Sequence, residues 1–131
     1  MLFKKTSIIL TLSFSFISFA YADLKITNNT NTPATSVINN GSCSDNLPNG
    51  YGVTQPHSTN AVPDWIIKLA CLMHTKDCKA EVHMTNNCSG PVIASVIFDT
   101  KKGVQSIQNK DVDGYVVSGS GFDINIDGGT V

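Results

Sequence analysis

The sequence predicts an all-β domain: an antiparallel β-sandwich of about eight or nine short strands stapled by two disulfides, with a small β-barrel as the alternative. Three observations carry this. Short runs rich in Val, Ile and Thr recur between clusters of Asn, Gly and Pro. No segment sustains a 3.6-residue hydrophobic period long enough to read as a helix. The chain also carries 4 cysteines, an even number, behind an N-terminal leader of the kind that delivers proteins to oxidising compartments, where thiols pair.

The leader is residues 1–22. Lys4 and Lys5 give it a positive start, Ser7 to Phe19 is apolar apart from Ser and Thr, and Ala20-Tyr21-Ala22 is a small-x-small cleavage site. A membrane-spanning helix would need roughly twenty apolar residues, so cleavage near Ala22 is the reading. Residues 23–131 then form one disulfide-stabilised domain, secreted or periplasmic, with no membrane span and enough chain to bury a core. Lys4 and Lys5 leave with the leader, and all the remaining basic residues are lysines, outnumbered by 10 Asp and Glu. A net charge of about −3 without any arginine excludes a nucleic-acid footprint. The aromatic residues left are Tyr51, Trp65, Phe98, Tyr115 and Phe122, too few for a stacking platform on sugars or bases.

Taken in order, Leu24 to Thr27 alternates apolar and polar residues and reads as the first strand, followed by a turn-rich stretch, Asn28 to Pro33. Asn28-Asn29-Thr30 is formally a glycosylation sequon, for which a bacterial type of leader gives no use. Thr35 to Ile38 is a second strand. Asn39-Asn40-Gly41 and Asn46 to Gly50 bracket Cys43 in irregular chain, Gly50 to Val53 is a brief strand, and Gln55 to Pro63 is a polar connection containing His57.

Trp65 to Gly90 holds three of the 4 cysteines and the 1 tryptophan. Folded back near His74-Thr75 as an antiparallel hairpin, it sets Trp65 opposite Met84, Ile67 opposite Val82, Leu69 opposite Ala80 and Cys71 opposite Cys78, with Lys68 opposite Glu81 on the other face. One face is then wholly apolar, which a one-residue slip would undo. In this register Cys71–Cys78 closes the hairpin and Cys43–Cys88 ties the N-terminal part to its far end, with Cys71–Cys88 and Cys43–Cys78 as the alternative. The third connectivity fails on reach. With Lys79 to Thr85 extended, Cys78 and Cys88 lie roughly 30 Å apart along the chain, whereas a disulfide needs its Cα atoms within about 7 Å.

Beyond the hairpin, Val92 to Asp99 is the most apolar segment and reads as a central strand. Val104 to Ile107, Tyr115 to Ser118 and Phe122 to Ile126 complete the sheets. Lys101-Lys102-Gly103 and Asp111 to Gly114 are turns, and Gly119-Ser120-Gly121 is a kink.

Few residues group into candidate chemistry. Cys71, His74 and Cys78, with His83 and Cys88 beyond, have the soft donors of a zinc site, but oxidation of the thiols in an exported chain removes them. Asp123-Ile124-Asn125-Ile126-Asp127-Gly128 matches the opening of a calcium loop, which Asp111 and Asp113 would join if the C-terminal turns met. The twelfth position of such a loop falls beyond Val131, and the same residues also make an amphipathic strand. Serine and histidine occur without a nucleophile elbow, and Glu81, the sole glutamate, is expected to pair with Lys68. No cofactor motif is present.

The pattern Ala70-Cys71, then Cys78-Lys79-Ala80-Glu81-Val82-His83-Met84-Thr85-Asn86-Asn87-Cys88-Ser89-Gly90-Pro91, then Ile93 to Asp99 and Val117 to Phe122, resembles a group of small exported proteins of Legionella- and Coxiella-like intracellular gammaproteobacteria. The resemblance spans most of the mature chain. It implies export and a shared fold, and it carries over neither an activity nor site residues.

The expected function is binding rather than catalysis, to a protein or glycan ligand of the host or the envelope, through the loops Asn46 to Gly52 and Gln55 to Pro63. Tyr51 is the loop aromatic expected to carry it, unless it packs beside Cys43. A disulfide-stabilised inhibitor or toxin-like effector is the second expectation, and a hydrolase the third.

Overall fold

The computed structural model describes residues 23–129; the leader read at 1–22 and its cleavage site lie outside the described residues. The strands are β1 (Leu24–Asn28), β2 (Thr35–Ile38), β3 (Ser58–Val62), β4 (Cys78–His83), β5 (Val92–Asp99), β6 (Gly103–Asn109), β7 (Val116–Ser120) and β8 (Asp123–Asp127), and one helix, α1 (Asp64–Ala70), joins β3 to β4. They form two four-stranded sheets, in the orders β3-β1-β8-β7 and β2-β4-β5-β6. The molecule is a sandwich and not a closed barrel. Every pairing is antiparallel except β1 with β8, which run parallel with Ile26 beside Ile124.

Alternation builds the core between the sheets. In β8, Ile124 and Ile126 are buried while Asp123 and Asp127 are exposed; in β5, Ile93, Ala94, Val96 and Phe98 are buried. One cluster joins these to Val82, Met84 and Val117. A second, towards α1, gathers Val62, Ile66, Ile67, Cys71, Cys78 and Phe98, with Phe122 edge-on to Phe98 at 5.6 Å between ring centroids. Each large aliphatic side chain so buried contributes about 1.5–3 kcal/mol before entropy is counted. Along the β6–β7 side the Asn109 side chain accepts from Val117 N–H (2.7 Å) and donates to its carbonyl (3.0 Å), which ties the two sheets together.

Three sequence expectations are corrected. The hairpin from Trp65 to Met84 does not form. Residues 64–70 are helical, and β4 pairs instead with β2 and β5, setting Ala80 beside Ile38 and Val96. Helix wins because Pro63 and Asp64 make a competent N-terminus and Asp64 lies 3.0 Å from Lys68 one turn on, while Ile66, Ile67 and Cys71 reach the core from one side. Glu81 is correspondingly near Lys79, at 3.8 Å. Gly50 to Val53 is a turn rather than a strand, and only Thr54 bridges to Ala34. Conversely, the connection Gln55 to Pro63 contains β3, an edge strand polar enough to pass for a loop, with Thr59 hydroxyl to Thr27 hydroxyl at 3.0 Å across the pair.

Candidate functional site

One end of the sandwich is closed by two pieces that are not sheet. The first is α1, whose C-terminus is fixed by a disulfide from Cys71 to Cys78 at the start of β4, with Cα atoms 5.3 Å apart. The second is the segment 39–54, which leaves β2, turns through two short 3-10 segments, Ser44–Asn46 and Pro48–Gly50, and is anchored by a disulfide from Cys43 to Cys88. Ser44 organises this segment. Its hydroxyl donates to the Gly52 carbonyl at 2.6 Å and accepts from Ser36 N–H at 2.9 Å. The backbone approach is so close that a Cβ on Gly52 would collide with the Ser44 carbonyl. Asn60 on β3 donates to the Tyr51 carbonyl at 2.7 Å, holding the far side of the segment to the edge strand.

Between these pieces and the two sheets lies a cavity of about 120 Å³. Ile38, Leu47, Tyr51, Ile67, Ala70 and Phe98 are among its walls, and the residues with polar side chains that line it are Thr35, Ser36, Ser44, Tyr51 and Thr54. No Asp, Glu, His or Lys lines it. Ile38, Leu47, Tyr51 and Ala70 are half-buried, so the cavity meets solvent between the segment 39–54 and α1. A void of this order has room for a single ring or short alkyl group. Two of its hydroxyls are engaged: Thr35 donates to the Thr85 carbonyl at 2.9 Å and Ser44 to the Gly52 carbonyl at 2.6 Å.

Tyr51, the loop aromatic singled out from the sequence, lies at the cavity wall and packs against the second core cluster. The calcium candidates are scattered. Asp123 and Asp127 sit at opposite ends of β8, roughly 13 Å apart for a strand of this rise. Asp127 accepts from Asn29 at 2.9 Å, and Asp111 and Asp113 lie exposed in the β6–β7 turn. Asn125 lies between them on the same face, with Thr27 and Ser118 as its register partners on the neighbouring strands. Among the described residues no three His, Cys, Asp or Glu side chains gather at metal-binding spacing. The zinc donors are dispersed as well, since Cys71, Cys78 and Cys88 are disulfide-bonded and His83 is buried with Nδ1 donating to the Gly90 carbonyl at 3.0 Å. Sequence reasoning missed Ile66, Ile67 and Ala70 as cavity walls, because it read their segment as a strand. The Asp64-to-Lys68 spacing behind Pro63 was the signal that would have found them.

Asp99 ends β5 and opens the β5–β6 turn. Asp99 accepts from the backbone N–H groups of Lys101 (2.7 Å) and Lys102 (3.0 Å), which favour its charged form and outweigh the opposing effect of burial; the Lys102 and Lys76 ammonium groups add smaller favourable contributions. Its carboxyl is held below the ordinary aspartate value.

The sequence matches the family described as "T2SS substrate NttC" over residues 1–131. This chain belongs to the NttC family. The fold agrees: the crystal structure of the Legionella pneumophila type II secretion system substrate NttC superposes with a TM-score of 0.65 at 27% sequence identity, over 83% of this chain and 99% of that one. No curated protein matches the sequence. Membership in the NttC family makes the chain an exported, secreted protein, and two disulfides suit that destination.

Proposed function

We propose that this secreted protein works by binding, and that it takes a small apolar group of its ligand, a ring or a short alkyl segment, into the cavity beside Tyr51. The observation that carries the reading is a cavity walled by aliphatic and aromatic side chains and bordered by two disulfide-fixed segments. Such a wall is preorganised, so little ordering entropy is lost on binding. Catalysis has less to stand on. General acid–base chemistry needs titratable groups facing the bound molecule, and this lining offers only the Tyr51 phenol. The ligand is a host or envelope component that presents such a group, on a protein, a glycan conjugate or a lipid.

The test is an NMR titration of the isotopically labelled protein with hexanoate, indole and benzene. Amide shifts confined to Tyr51, Ile66, Ile67 and Ala70, and lost in Ala70→Phe, which fills the cavity, support the reading. A panel that perturbs nothing, or perturbs wild type and Ala70→Phe alike, overturns it.

A further inference from the structure

Two open sheets have four edges, and three of these are covered. The segment 39–54 runs along β2: Val37 bridges Cys43, Ser36 N–H donates to the Ser44 hydroxyl at 2.9 Å, and Ala34 and Thr54 exchange backbone bonds. β6 and β7 face each other through the Val104 N–H to Gly121 carbonyl bond, 2.8 Å, and through the two bonds of the Asn109 side chain to Val117. That leaves β3. Lys25 and Asn29 N–H donate to the Phe122 and Ile126 carbonyls, both at 2.8 Å, so Lys25, Thr27 and Asn29 turn their backbone groups to β8. Leu24, Ile26 and Asn28 turn theirs to β3, where they meet Val62, Asn60 and Ser58. The backbone groups of Thr59 and Ala61 consequently point away from the sheet. Both residues are exposed, and among the described residues neither their N–H groups nor their carbonyls have a partner.

We infer that β3 is a strand-addition edge whose occupant is the β3 of a second copy of the chain, joined antiparallel about a two-fold axis at Asn60. A row of unpaired backbone donors and acceptors at strand spacing is complemented by another extended strand. The axis at Asn60 sets Thr59 of each copy opposite Ala61 of the other. The free groups lie symmetrically about Asn60, so this register makes four N–H to carbonyl bonds and leaves none of those groups unpaired. The side chains also suit self-pairing. A strand that faces itself across a two-fold meets its own charges, and β3, Ser-Thr-Asn-Ala-Val, has none. Thr59 and Ala61 are small enough to lie directly opposite each other, and Asn60 keeps its side chain on the Tyr51 carbonyl at 2.7 Å, clear of the axis. β3 also lacks the features that close an edge: it has no lysine, no bulge in its register with β1, and no proline between Pro56 and Pro63. Joining two copies continues the order β7-β8-β1-β3 into β3-β1-β8-β7, one sheet across both molecules.

Sedimentation equilibrium of the secreted protein, from micromolar to millimolar concentration, is expected to show a reversible monomer–dimer equilibrium. Ala61→Pro removes an N–H that β1 does not use, and with it two of the four bonds across the axis. Association is expected to weaken roughly 30-fold, each bond being worth about a factor of five. A charge exchange tests the register. Thr59→Lys/Ala61→Lys and Thr59→Glu/Ala61→Glu each set like charges opposite each other and are expected to be monomers. An equal mixture of the two variants is expected to form a heterodimer, the lysines of one facing the glutamates of the other. Both positions are exposed, and circular dichroism confirms that the variants fold. A wild type that stays monomeric throughout overturns the inference and leaves the edge to a strand of another protein. So does a dimer that Ala61→Pro and both charged variants leave intact, which places the contact elsewhere on the surface, and so does a mixture that stays monomeric.

Discussion

Asn28 is fully buried at the end of β1, and all of its side-chain hydrogen-bonding capacity is used. Its amide donates to the carbonyls of Thr32 (2.7 Å) and Thr54 (3.1 Å), and its oxygen accepts from the Thr30 backbone N–H (3.0 Å) and hydroxyl (2.7 Å). The sequon nitrogen is therefore consumed inside the fold, and a glycan there is incompatible with this structure. Replacing Asn28 by Ala strands these partners, and chemical denaturation is expected to show a loss of about 2–4 kcal/mol. Asp99 makes a prediction in pH. Its folded pKa is lowered, so its contribution is full above the ordinary aspartate value of about 3.9 and is lost as pH falls through the lower folded value. Denaturation midpoints across that acid range are expected to fall more steeply for wild type than for Asp99→Asn; equal slopes would show the turn indifferent to the charge. At this scale the hairpin reading set Trp65 on a wholly apolar strand face, whereas it lies exposed on α1. Exposure is set by what the neighbouring element covers, which composition does not encode.

The helix shows why one element was illegible and a neighbouring one was not. From Trp65 to Met73 every residue except Lys68 is apolar, so a strand period and a helical period fit equally well. The helical solution puts Ile66, Ile67 and Cys71 inside and leaves Trp65, Leu69, Leu72 and Met73 exposed. By contrast β5 was legible, because an eight-residue β-branched run between turn signals has one reading. The β3 strand was not, since three of its five residues are exposed and its polarity resembles a loop. What fixes α1 is the Cys71–Cys78 link, which closes a short loop onto β4. Replacing both cysteines by Ala is expected to cost about 2.5 kcal/mol, with faster amide exchange through 64–71 than elsewhere. Uniform exchange would show that helix packing, not the disulfide, holds the element.

For the whole molecule, strand number and sandwich class followed from local patterns, while the strand order did not. The β1–β8 pairing joins the two ends of the domain in parallel, and such long-range contacts leave no turn signature to read. The cavity was invisible for the same reason, being formed where both sheets, α1 and the segment 39–54 meet. That segment is cross-linked through Cys43–Cys88, a link spanning 45 residues, whereas α1 has its own link. The cavity and the β3 edge are separable by one pair of substitutions. Replacing Cys43 and Cys88 by Ala is expected to cost about 4 kcal/mol and to loosen the cavity wall at Leu47 and Tyr51, so the amide shifts with hexanoate or indole shrink. The monomer–dimer equilibrium, read below the unfolding transition, is expected to persist, because Thr59 and Ala61 are held by the pairing of β3 with β1 and lie outside that link. Loss of both together in a protein still folded by circular dichroism would mean that cavity and edge act as one site, with β3 depending on the segment that Asn60 holds beside it.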